Sequence, residues 1–217
     1  MPRTETVERT IFKFDELDPS VQERVIERWR EGDYFFWGEE RKGSLEAFEK
    51  CFPIEVHDWE VCPFSQTSGM RWSLTCGDDV EALSGLRLWK WLWNNDYGTL
   101  GLRGIPESKR KLKFSAPLGK AYMPTTRILR LSEWEECPLT GYCGDHDILE
   151  PIAKFMLRPD SYTKIWRHVT LHDLMMDCLE SWSSGFESDI EHWHSEEFIR
   201  EDIEASEHEF LEDGSTA

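Results

Sequence analysis

Between Leu171 and Trp193 the chain carries two stripes that leave few choices of local structure. Leu171, Leu174, Met175, Cys178, Trp182, Phe186, Ile190 and Trp193 recur at three- and four-residue steps. That is the period of one face of an α-helix, and the alternation of a strand cannot place them on one side. Asp173, Asp177, Glu180, Glu187 and Glu191 recur at the same steps on a second face. Such an element buries one side and shows the other as a row of carboxylates, so the fold must supply an apolar surface to receive it. Thr170 and Asp173 make a capping-box pair at its start. Ser183-Ser184-Gly185 predicts a bend within it, because glycine costs about 1 kcal/mol against alanine inside a helix.

The rest of the chain alternates strand and helix signals. Val7 to Phe14 reads as a strand, rich in β-branched and aromatic residues. Asp18-Pro19 then supplies a cap followed by proline at the first helical position, and the helix runs to Glu31 before Gly32. Val25, Ile26 and Trp29 are its inward residues. A short helix is expected over Leu45–Cys51, ahead of Pro53. Ile54, Val56, Trp59 and Val61 fall on one strand and Trp72, Leu74 and Cys76 on the next, joined by a turn-rich Pro63–Gly69. Asp78 and Glu81 open a helix through Val80, Leu83, Leu86, Trp89 and Trp93 that closes at Asn94-Asn95 and Gly98. Arg127–Leu131 is a further strand. Asp147 and Glu150 are the capping box of a helix that ends before Pro159.

Charge is distributed unevenly. Of the 217 residues, 43 are acidic and 25 are Lys or Arg, a formal net charge of −18. From Asp173 to Asp213 there are fifteen Asp and Glu against Arg200 alone; from Arg103 to Arg130 there are eight Lys and Arg against Glu107. The middle of the chain is basic and its end is acidic. An aromatic content of 13%, with eleven tryptophans, separates it from acidic disordered sequences. The first apolar stretch, Thr10–Phe14, is short and follows charges, and no run approaches the ~18–20 apolar residues of a membrane span. A soluble, cytoplasmic protein is therefore expected, with Cys51, Cys62, Cys76, Cys137, Cys143 and Cys178 as reduced thiols.

The acidic end offers a binding surface. As one continuous helix from Asp173 to Asp213 it would be about 60 Å long, with a carboxylate about every 4 Å. One DNA strand carries a phosphate about every 3.4 Å, so Asp173, Asp177, Glu180, Glu187, Glu191, Glu196, Glu197, Glu201, Asp202 and Glu204 could occupy a surface that normally takes nucleic acid. The bland reading of the same run is a solvated helix face. The basic stretch, Arg103, Lys109, Arg110, Lys111, Lys113, Lys120, Arg127 and Arg130 with Phe114 and Tyr122, is the alternative: a direct grip on nucleic acid, or a dock for the acidic helix.

Signs of chemistry are sparse. Glu191-x-x-His194 has the spacing of di-metal bundles, yet no second copy accompanies it and Glu204 with His208 is only a weaker echo. Cys137, Cys143 and His146 are weak metal candidates, since five residues between the cysteines exceed the zinc-knuckle spacing; His172 or Cys178 would have to complete the site. Asp145-His146-Asp147 concentrates titratable groups beside Gly144, with Asp147 spoken for as a cap. No nucleophile elbow, phosphate loop, dinucleotide pattern or zinc-protease motif occurs. Trp89, Trp91 and Trp93 read as core and not as an aromatic platform.

Four stretches bring a resemblance: Phe14–Leu17 with Pro19–Arg30, Gly85–Asn95 (GLRLWKWLWNN), Cys137–Ile152 (CPLTGYCGDHDILEPI) and Ser195–Gly214 (SEEFIREDIEASEHEFLEDG). In order and wording they resemble small acidic proteins encoded by bacteriophages and prophages. The resemblance implies a phage setting, in which acidic accessory proteins antagonise host defences, anti-CRISPR proteins among them. It carries over no functional residue.

These readings together predict an α+β fold with a small antiparallel sheet, packed helices and a long acidic C-terminal helix. The N-terminal strand and the hairpin would share the sheet. Residues 1–160 are expected as the core, with a basic excursion at 98–130, and 161–217 as an acidic helical segment packed on it. The expected function is a non-catalytic phage-type inhibitor, without cofactor, that binds a host nucleic-acid-binding defence complex. A metal-dependent enzyme or zinc-stabilised module, and a nucleic-acid-binding accessory protein, are the alternatives.

Overall fold

The computed structural model describes residues 9–32, 38–61, 69–95, 139–142, 144–157 and 166–217. The expected turn at 63–68, the basic excursion at 98–130, the strand at 127–131, Cys137 and Cys143 lie outside the described residues. The elements are α1 (Pro19–Glu31), α2 (Gly38–Cys51), β1 (Ile54–Glu60), β2 (Gly69–Leu74), α3 (Asp78–Glu81), α4 (Gly85–Asn94), α5 (Gly144–Leu157), α6 (Leu171–Trp193) and α7 (Glu196–Ala205). The fold is α+β, mostly helical, with a two-stranded antiparallel sheet. Two compact units divide it: Met1–Phe36 with Asp189–Ala217, and Trp37–Ser188. In the first unit, described residues from the N-terminal segment and from the C-terminal segment share one core.

In the first unit, α1 begins where the sequence placed it. The Asp18 carboxylate accepts from the Ser20 amide at 3.0 Å and Pro19 needs no partner for an N–H it lacks. Val21, Val25 and Ile26 from α1 meet Ile199 and Ile203 from α7, together with Phe14, Leu17 and Phe210. The expected strand at 7–14 is not a sheet strand over its described part. Phe12 instead exchanges two backbone hydrogen bonds with Phe210, at 2.8 and 2.9 Å, and Phe14–Glu16 is a 3₁₀ turn. The tail after Glu207 becomes extended and then doubles back, Leu211 donating to the Ser215 carbonyl and Ala217 to that of Glu209. Gly214, at φ +84°, lets this hook lie on α1, where a Cβ would stand 2.8 Å from Val21 Cγ1.

In the second unit, β1 and β2 pair antiparallel, Ile54 opposite Leu74 and Val56 opposite Trp72, with a bulge between Val56 and Asp58. The bulge resolves an inconsistency of parity in the sequence. Val56 and Trp59 are three apart, yet Trp59 lies against Trp182 and Phe186 on the core side because one extra residue is absorbed. The single helix expected from Asp78 to Asn95 is two helices. Ser84 is extended and pairs with Thr170, which stops α3 at Glu81 and restarts the chain as α4. Leu88, Trp89 and Leu92 of α4 are buried, while Leu86 is exposed.

Two further expectations are corrected here. α2 starts at Gly38, seven residues earlier than the apolar pattern indicated, and buries the polar Arg41 and Ser44. α5 starts at Gly144, so Asp147 is not its cap but a residue of its first turn.

Candidate functional site

The capping pair that opens α6 forms as read. The Asp173 carboxylate accepts from the Thr170 amide at 2.9 Å and hydroxyl at 2.8 Å, and Thr170 Oγ1 accepts from the Asp173 amide at 3.1 Å. These bonds hold the Asp173 carboxyl below its ordinary value. The predicted apolar face is buried from Leu171 to Phe186, with Ile190 and Trp193 half-buried. Asp177 and Glu180 are exposed and Glu187 is half-exposed. Partial burial, and then the neighbouring Glu180 and Asp173, raise the Asp177 carboxyl.

The helix runs without interruption through Gly185, from Leu171 to Trp193. The glycine there permits a close approach. Arg41 Nη2 donates to the Gly185 carbonyl at 3.3 Å, and Arg41 Nη1 is ion-paired with Asp147 over the same spot. Trp182 Nε1 closes the arrangement with a 3.0 Å bond to the Arg41 carbonyl. Beside it the buried Asp145 carboxylate accepts from the amides of Leu139, Thr140 and Gly141 at 2.8, 2.6 and 3.2 Å, and from Thr140 Oγ1 at 2.9 Å. Of the two acids of Asp145-His146-Asp147, Asp145 organises a turn and Asp147 neutralises a buried guanidinium. His146 is exposed.

The long acidic helix forms, but the stretch from Asp173 to Asp213 is not one continuous rod. α6 ends at Trp193, and Ser195 caps a separate helix by accepting from the Phe198 amide at 3.3 Å. α7 ends at Ala205, so Glu207 to Asp213 belong to the extended hook. On α7 the apolar Ile199 and Ile203 are buried and the opposite face carries Glu197, Glu201 and Glu204, all exposed. Steps of four and three place these three carboxylates on one side. Not every acid of the set is free. Glu196 accepts from Arg200 Nε at 2.8 Å, and Asp202 accepts from Trp29 Nε1 at 3.1 Å. Glu191 is exposed on the last turn of α6. Arg30 donates to the His194 carbonyl at 3.0 Å, placing a cation at that helix end where the dipole favours it.

Among the described residues no three His, Cys, Asp or Glu side chains gather as a metal site. His172 stacks on Trp72, His208 meets Trp29 edge-on, and His192 meets Phe198 edge-on. Cys178 is fully buried, and burial pushes its thiol well above the ordinary range. Trp89 is core, its Nε1 donating to the Met156 carbonyl at 3.1 Å, while Trp91 and Trp93 are half-buried. No described helix is long and apolar enough to cross a membrane. The Arg41–Asp147–Gly185 group was not visible in the sequence; its one signal was an arginine and a serine on the side of α2 that also carries Leu45 and Phe48.

Comparisons with protein families, curated proteins and solved structures return no match to this chain.

Proposed function

We propose that this protein is a non-catalytic, phage-type inhibitor whose carboxylate surfaces bind a basic, nucleic-acid-binding surface of a host defence complex of the CRISPR kind. The observation that carries this reading is the row Glu197, Glu201 and Glu204, exposed on one side of a helix whose other side is fixed by Ile199 and Ile203. Successive carboxylates of that row are about 4.5–6 Å apart along the axis, the same order as the phosphate spacing of a nucleic-acid strand. A helix anchored from below presents charge without first paying to order it. The acids of α6, Asp177, Glu180 and Glu187, form a second such row. The resemblance to phage proteins supplies the setting, a bacterial cytoplasm, and the class of partner.

The test is a tagged pull-down from bacterial lysate, eluted by a salt gradient and identified by mass spectrometry. A nucleic-acid-processing complex released at moderate salt is the expected result, and Glu197→Gln, Glu201→Gln and Glu204→Gln together should release it at lower salt. Retention unchanged by the three amides would remove charge mimicry from this face.

A further inference from the structure

Beside the acid row of α6 lies a surface of a different character. His172, Met176 and Glu180, four residues apart, form one exposed column on the helix. The His172 imidazole stacks on the Trp72 indole from β2, with ring centroids 4.7 Å apart and planes 29° from parallel. Met176 is 36% exposed, one of four large apolar side chains exposed among the described residues. Asp173 and Asp177 form the adjoining column. Asp173 is committed to its cap, whereas Asp177 sits among acids, its carboxyl raised by partial burial and then by Glu180 and Asp173.

Stacked rings, a polarisable thioether and neighbouring carboxylates make opposite demands on most ligands. An apolar group would leave the acids unpaired, and a phosphate would be repelled by them. A guanidinium meets both demands, its flat face lying on rings or sulfur while its edge donates to carboxylates. An ammonium satisfies only the second. We infer that the Trp72–His172–Met176 column, edged by Asp177 and Glu180, is the docking point for an arginine on the basic partner. The inference rests on the acidic-surface reading above and adds the residue type that the partner must bring.

Nona-arginine and nona-lysine peptides, titrated calorimetrically into the full chain at low ionic strength, separate the two. Arginine should bind about fivefold more tightly than lysine at equal charge. His172→Ala with Met176→Ala, both at exposed positions, should bring that ratio close to one while leaving the lysine affinity as it was. The Glu197→Gln, Glu201→Gln, Glu204→Gln variant should weaken both peptides alike and keep the ratio. Equal affinities in the wild type, or a ratio that survives His172→Ala with Met176→Ala, would overturn the proposal. So would an equal loss of both peptides in that double variant with its far-ultraviolet spectrum unchanged. If the ratio behaves as expected but the α7 amides change nothing, the arginine site stands and the α7 surface fails.

Discussion

Gly185 of α6 lies so near Asp147 of α5 that a Cβ on the glycine would stand 2.8 Å from the aspartate's carboxyl carbon and 3.1 Å from Arg41 Nη1. The ion pair Arg41–Asp147 therefore occupies the volume that any other residue at 185 would claim. Gly185→Ala should destabilise the protein by about 1–3 kcal/mol, even though alanine gains about 1 kcal/mol over glycine in helix propensity. Ser184→Ala, one position along and exposed, should change stability by less than about 0.5 kcal/mol. Urea midpoints of the two variants decide it. If both shift upward together, propensity governs and the packing account is wrong.

The hook at the chain's end makes a second such claim. Gly214 combines a φ of +84° with close approach to Val21 and Val25, and its carbonyl accepts from Arg28 at 3.1 Å. Alanine there meets both penalties, a left-handed backbone and a methyl group in occupied space, at a cost of about 1–3 kcal/mol. The expected readout is faster amide exchange along α1 and at Phe12 and Phe210, with the amides of α5 unchanged. Equal acceleration in both units would mean that they do not open separately.

Two acids of one helix should respond to pH in opposite senses. Asp173 titrates below the ordinary carboxylate value of 3.8, because its cap bonds favour the ionised form. Its contribution is complete above 3.8 and is lost as the pH falls through its lower native value. Asp177 titrates above 3.8, so its charge opposes folding at neutral pH and the opposition fades as the pH falls through the raised value. Asp173→Asn should thus destabilise at pH 7 and be nearly neutral at pH 2, because the amide oxygen can keep the Thr170 bonds but not their charge. Asp177→Asn should stabilise at pH 7 and be neutral at pH 2. Denaturation midpoints across that range test both signs, and a shift of the same sign for the two variants would contradict the assignment.

Much of the local structure was legible because its causes are local. Asp18-Pro19 and Gly32 bound α1, the three-and-four periodicity from Leu171 defines α6, and Thr170 with Asp173 caps it. The acid row was legible too, since it is the complement of the buried face. The errors share one origin. Asp147 looks like a cap and Leu45 like the start of a helix, because each was read against neighbours a few residues away. Their actual partners are distant: Arg41 and Asp147 are 106 residues apart.

By itself, then, the sequence determined helix faces, caps and the polarity of charge, since periodicity and side-chain-to-backbone bonding act within one or two turns. Tertiary structure decided which acids remain free. Trp29, 173 residues away, takes Asp202, and Glu197, Glu201 and Glu204 stay in solvent because Ile199 and Ile203 must reach the core, whereas the Ser195 cap and the Arg200–Glu196 pair each close within about one turn. Closing a contact between distant residues is a balance of burial against chain entropy over the whole fold, and no window of sequence contains it.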